Sequence, residues 1–351
     1  MQKMKFIWNL KVLILILVIF SSTGILIANY VYLNNIEVDE NIKSVNNTIF
    51  TVSNEHEVFF GNSEDGNRNQ KYLKIWFSPA MNEETYGCAF FSLLGDDSNE
   101  EVVGIAIGGI NSEGLCFDAN EIPPPSFVHY SPSLGLVASY NSFWEMILSE
   151  CSSVLEVREW YRTHNMGGWW GYQIHWADKS GDALIISPTT FHTIAYTRKT
   201  GDYLVSTNFN PVNHSQGFYP CRRYEFVVNY LDDITYEREI NQLDLTSILN
   251  AVTVPEKGDY IGTVYSNIFE LTTQTIYLYI QRDFNKEIMF DLNIELNKGI
   301  HAYSFPILAN TNSFDRYWTL LFTVIFTICM VGMSFFIDFI YKKMQLENRT
   351  K

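Results

Sequence analysis

The chain has 351 residues, of which 47% are hydrophobic, 15% aromatic and 18% charged, with a formal net charge of -15. Such apolar content is ample for a buried core and excludes a disordered polyelectrolyte. The acidic balance excludes the basic surface that nucleic-acid binding requires, so no nucleic-acid partner is expected.

The first element is a run without charge from Val12 to Leu33, preceded by Lys3, Lys5 and Lys11 and followed by Glu37, Asp39 and Glu40. At about 1.5 Å per residue it is long enough to cross a hydrocarbon core. A cleaved signal peptide is the alternative, with Ile27-Ala28-Asn29 as a weak cleavage site. A second uncharged run, Leu320 to Ile337, is flanked by Tyr317, Trp318 and Tyr341 and followed by Lys342, Lys343, Arg349 and Lys351. Basic residues outside both runs predict two crossings with both termini cytoplasmic and the middle of the chain outside. The expected organisation is a signal-anchor at 1–33, a polar tether at 34–46, a domain at 47–310, a membrane helix at 317–341 and a basic tail at 342–351. The membrane is thus the first expected partner.

Within the domain, short apolar runs predict strands at Ile49–Ser53, Val58–Phe60, Ala89–Leu93 and Val102–Ile110, punctuated by Gly61, Gly95 and the Asn111–Gly114 turn. Helical periodicity occupies Asn141 to Tyr161, and the spacing of Ser153 and Glu156 predicts a second helix starting near Cys151. Two strand-turn-strand units follow at Tyr172–Ser187 and His192–Thr207, then helices near Arg222–Leu231 and Leu243–Val252. Strand-like runs at Thr263–Phe269, Thr275–Gln281 and Glu287–Phe290 close the domain. Strands joined by tight turns, with few helices, predict an α+β class with antiparallel sheets covered by helices.

The seven histidines form neither H-x-x-H nor H-E-x-x-H, and Gly104–Gly109 lacks dinucleotide-binding spacing, so no metal and no cofactor is expected. No G-x-S-x-G elbow occurs. The five cysteines include no C-x-x-C; the outer compartment permits a disulfide, and buried free thiols are the simpler reading. Asn46 and Asn213 head glycosylation sequons. Three turns at strand ends carry Asn or Asp: Phe59–Asp65, Gly108–Leu115 and Val205–Pro211, the last followed by Cys221-Arg222-Arg223-Tyr224. Asn is a common turn former, and its side-chain amide can also donate hydrogen bonds to a developing oxyanion.

In this order, together with Tyr86–Phe91, Gly114–Asn120, Ala177–Asp182 and Thr263–Asn267, these turns resemble the linear amide C-N hydrolases, the penicillin V acylase and choloylglycine hydrolase group of N-terminal nucleophile hydrolases. The resemblance implies an αββα four-layer sandwich and a processed N-terminal cysteine whose α-amine serves as base. It places the family's aspartate on Asp65, its oxyanion asparagines on Asn111 and Asn208, and its arginine on Arg223. Asn62 falls where bile-salt-type members carry Arg. The cysteine position aligns with Asn47, whose amide cannot attack a carbonyl as a thiolate does. With the two apolar runs as anchors, the resemblance implies a membrane-held, non-catalytic or degenerate hydrolase fold that binds an acyl-amide ligand. One alternative is an active amidohydrolase using Thr48, although strand alternation predicts that its hydroxyl points away from the site. Another is a structural or receptor-like surface protein.

Overall fold

Residues 47–67, 73–93, 105–123, 135–136, 143–165, 171–189, 194–237, 240–256 and 260–309 are described by the computed structural model. The tether, both expected membrane spans and the basic tail lie outside them; among the described residues no helix is long and apolar enough to cross a membrane.

In chain order the strands begin with β1 (Thr48–Ser53), β2 (Val58–Asn67), β3 (Lys74–Ser78), β4 (Cys88–Leu93), β5 (Ile105–Asn111), β6 (Cys116–Glu121) and β7 (Gly135–Leu136). Helices α1 (Phe143–Glu150) and α2 (Val154–Thr163) come next. They are followed by β8 (His164–Asn165), β9 (Tyr172–Ala177), β10 (Ala183–Pro188), β11 (Ile194–Arg198), β12 (Tyr203–Ser206), β13 (Phe209–Asn210) and β14 (Asn213–Gly217). After α3 (Arg222–Glu237) and α4 (Gln242–Ala251) come β15 (Tyr260–Glu270), β16 (Thr275–Ile280), β17 (Ile288–Asp291), the short α5 (Leu292–Leu296) and β18 (His301–Ser304).

Two sheets carry the fold, one ordered β12-β1-β2-β15-β16-β17 and the other β11-β10-β9-β6-β5-β4-β3-β18. Their pairings are antiparallel throughout. The alternation of β1 shows why they stack. Ile49 joins Phe60, Phe91, Ala177 and Phe269 in a core between the sheets, whereas Phe50 and Val52 face α3 and α4 with Val227, Leu231, Leu245 and Ile248. The second sheet sends Phe117, Trp176 and Ile186 the other way, against Ile147, Val157 and Tyr161 of α1 and α2. The layers therefore run helices, sheet, sheet, helices, with an apolar core at each of three interfaces. The expected antiparallel α+β class is what the chain forms.

Two caps expected from sequence take shape locally. Ser153 accepts a hydrogen bond from the Glu156 amide and starts α2, and the Asn111–Gly114 turn reverses β5 into β6 with Gly114 at φ 77°. One expected turn is not a turn. Gly61–Asp65 continues β2, because both its edges are hydrogen-bonded, to β1 on one side and β15 on the other. Strands β3, β6 and β18, which apolar runs did not mark, complete the second sheet.

Candidate functional site

The site forms where β1 begins. Thr48 pairs with Ser63 of β2, within the polar stretch Asn62–Asp65. Thr48 is fully buried, and its hydroxyl accepts a hydrogen bond of 3.1 Å from Arg223 Nη1. Arg223 lies in the first turn of α3, which aromatic contacts of Phe209 with Tyr219 and Tyr224 fix to the chain after β12. The same guanidinium reaches Asp65 Oδ2 at 3.5 Å and Asn208 Oδ1 at 3.3 Å. Asp65 is completely buried; its Oδ1 accepts from Thr263 Oγ1 at 2.6 Å, and Thr263 Oγ1 accepts in turn from the Val254 amide. Asn208 is held on both sides, since Gln173 Nε2 donates to the carbonyls of Thr207 and Phe209 at 2.6 and 2.9 Å. Its own amide donates to the Glu121 carbonyl at 2.7 Å.

Asn47 faces the other way, into the space between the sheets. Its Nδ2 donates to Glu64 Oε2 and, at 3.0 Å, to the Ala119 carbonyl, while its Oδ1 accepts from the Asp65 amide at 3.1 Å. Its backbone carbonyl, the one that joins it to Thr48, accepts from Asn120 Nδ2 at 3.2 Å.

Behind Asn47 the polar layer continues. Asn62 Nδ2 donates to Asp118 Oδ2 at 2.8 Å and approaches Asn267 Oδ1 at 3.4 Å. Gly108 makes room for that carboxyl, because a Cβ there would lie 2.4 Å from Asp118 Oδ2. Burial raises the Glu64 pKa well above the carboxylate range, helped by the charges of Asp118 and Asp65 and opposed by hydrogen bonds from Asn62 and Asn47. Burial raises Asp118 as well, against a hydrogen bond from the Ala119 amide. Farther along, His175 Nε2 meets Thr51 Oγ1 and its Nδ1 meets Ser206 Oγ, both at 2.9 Å, and burial holds its pKa down to about 3. Among the described residues, no group of three or more His, Cys, Asp or Glu side chains is placed to hold a metal ion.

Of the residues singled out from sequence, Asn47, Thr48, Asp65, Asn208 and Arg223 converge at the start of β1. As strand alternation requires, Thr48 lies on the face opposite Asn47. Its side chain shares the sheet face of Phe50 and Val52, which is the face Arg223 approaches, and it is Asn47 that turns to the opposite face. Asn111 stands apart. Its amide donates to the carbonyls of Leu148 and Cys151 and its Oδ1 accepts from the amides of Glu113 and Leu115, so it ties α1 to the β5–β6 turn. Asn120, near the far end of β6, is the asparagine that reaches Asn47. Alternation along β6 offered a signal for it: Asp118 and Asn120 are polar residues two apart, with apolar Phe117 and Ala119 on the other face. Glu64 escaped notice because it reads as a surface acid next to Asp65.

Chemically, the cluster sets a hydroxyl against a guanidinium and an amide donor against the carbonyl that precedes it. A guanidinium favours the alkoxide form of a hydroxyl, and an amide donor favours charge on a carbonyl oxygen.

No family model matches the sequence, and no curated protein does. The fold does have counterparts among solved structures. Two variants of conjugated bile acid hydrolase from Clostridium perfringens each align with TM-score 0.55 at 14% identity, covering 74% of this chain and 97% of theirs. Penicillin V acylase from Agrobacterium tumefaciens aligns with TM-score 0.50 at 13% identity, over 67% of this chain and 82% of its own. The chain thereby shares the fold of these two hydrolases.

Proposed function

We propose that this protein is a self-processing amidohydrolase, with Thr48 as nucleophile, in an extracytoplasmic domain anchored to the membrane through the apolar runs at 12–33 and 320–337. The observation that carries this reading is the orientation of the Thr48 hydroxyl into the Arg223, Asp65 and Asn208 cluster. In the first step Thr48 Oγ1 attacks the carbonyl carbon of Asn47, whose oxygen Asn120 Nδ2 supports. The C–N bond to Thr48 breaks, the hydroxyl proton passes to the departing amine, and Asn47 is left as an ester on Oγ1. Water then hydrolyses that ester, leaving a carboxylate on Asn47 and freeing both the amine and the hydroxyl of Thr48. An α-amine has a pKa of about 7.7 to 8.0, so at neutrality it can take the hydroxyl proton when Oγ1 attacks an amide substrate. It returns that proton to the leaving amine. Asn120, no longer bound to the Asn47 carbonyl, supplies an oxyanion donor, and Arg223 steadies the alkoxide.

A second reading, in which the domain is catalytically silent with Asn47 in the nucleophile's place, is favoured by the full burial of Thr48 in the uncut chain. N-terminal sequencing of the full-length protein purified from membranes, with turnover of chromogenic N-acyl anilides, separates the two. A new terminus at Thr48, with processing and turnover both lost in Thr48→Ala, is the expected result. A chain that stays continuous through Asn47 and Thr48 without turnover sinks the enzyme and leaves the silent fold.

A further inference from the structure

Resting on the reading of Thr48 as nucleophile, a substrate class follows from how Asn47 is held. The ester formed during processing and the ester formed during catalysis join an acyl group to the same atom, Thr48 Oγ1. The groups around Asn47 therefore form a ready-made acyl subsite, occupied in the uncut chain by the chain itself. That subsite matches a primary amide at each of its polar atoms. Two acceptors, Glu64 Oε2 and the Ala119 carbonyl, face Nδ2, and one donor, the Asp65 amide, faces Oδ1. An ammonium group would leave the Asp65 amide without an acceptor. A carboxylate would be a buried charge facing the Ala119 carbonyl oxygen, and an alkyl chain would leave buried donors and acceptors unpaired. The subsite has capacity to spare: Asn62 Oδ1 and Asn120 Oδ1 are buried without a hydrogen-bond partner among the described residues. Asn120 is itself completely buried and its amide is already directed at the Asn47 carbonyl.

We infer that the mature enzyme cleaves amides whose acyl part is short and ends in a carboxamide, an asparaginyl or succinamoyl group, and that Glu64 is the residue that reads the carboxamide. In the resulting ester the carboxamide lies against Glu64, the Ala119 carbonyl and the Asp65 amide, as the Asn47 side chain does before cleavage.

The test uses the full-length protein, with its N-terminus sequenced, on N-acetyl-asparaginyl, N-acetyl-aspartyl, N-acetyl-leucyl and decanoyl p-nitroanilides. The asparaginyl anilide is expected to exceed each of the others in kcat/KM by at least about 100-fold, as for sites built around buried hydrogen bonds. Glu64→Gln, which keeps an acceptor, is expected to retain the asparaginyl preference, whereas Glu64→Leu, which removes it, is expected to shrink the asparaginyl-to-leucyl ratio at least about tenfold. A Thr48 terminus with equal or greater turnover of the leucyl or decanoyl anilide overturns the carboxamide preference while leaving the nucleophile in place. An uncut chain with no turnover of any anilide overturns both. The wild-type comparison decides the matter even if either Glu64 variant fails to fold.

Discussion

Arg223 is the residue on which the cluster turns, since one guanidinium serves Thr48, Asp65 and Asn208. Its pairing with Asp65 is almost fully enclosed, with side-chain exposures of 14% and 0%. Removing one member of a buried pair strands the other, so Asp65→Ala is expected to lower stability by about 3 kcal/mol, read from urea unfolding. Asn120→Ala should leave folding largely intact yet slow the appearance of the Thr48 terminus by about 100-fold, the usual cost of losing one oxyanion donor. A variant that processes at the wild-type rate would remove Asn120 from that role. Asp65, Asn208 and Arg223 were legible in the sequence because each lies in a short motif with family spacing. Which face of β1 meets Arg223 was not, since that depends on the helix that approaches it. The contrast between Asn111 and Asn120 teaches the same point. A glycine-rich turn draws the eye, but the turn asparagine commits its oxygen to the turn and its amide to the helix beside it, whereas a strand asparagine can direct its amide to a neighbour across the sandwich.

At the level of elements, the hairpin of β1 and β2 positions the site, and its register depends on a close approach. The ring of Phe50 lies over Gly61, where a Cβ would come within 2.3 Å of Phe50 Cζ. Gly61→Ala should therefore force the ring to move and cost about 1–3 kcal/mol, with a lower thermal midpoint as the readout. Most strands and all the longer helices were legible from periodicity, because one face of each is apolar. The polar half of β2 was not. Gly-Asn-Ser-Glu-Asp has the composition of a turn, and only pairing to strands on both sides, one of them β15 from the far end of the domain, makes it a strand. The short strand β18 was missed for a related reason: its partner β3 lies more than two hundred residues earlier, so nothing local marks it.

On the scale of the whole molecule, His175 joins the two sheets by reaching from β9 to Thr51 and Ser206. Its folded pKa of about 3 lies below the ordinary value of about 6.5, so its contribution is present above pH 6.5 and is lost as pH falls toward 3. Stability should fall by about 1.4 kcal/mol per pH unit over that window, and His175→Gln should flatten the decline. The raised Glu64 and Asp118 act with the opposite sign, losing their contribution as pH rises, so they cannot mimic this acid limb. The expected topology has its own check. Cys221 is partly exposed while Cys88, Cys116 and Cys151 are buried, so a membrane-impermeant maleimide applied to intact cells should label one outer thiol and lose it in Cys221→Ser. Labelling only after cell lysis would place the domain inside.

β1 is an interior strand, clasped by β12 on one edge and β2 on the other from its first residues onward. Severing the chain just ahead of it would sacrifice none of those rungs. The new end would be born already clamped, and a catalytic amine held this way would need no fastening of its own. A cut there would also have no obvious way back: the departing peptide would carry off Asn47, while everything that gripped it would stay behind in the sandwich.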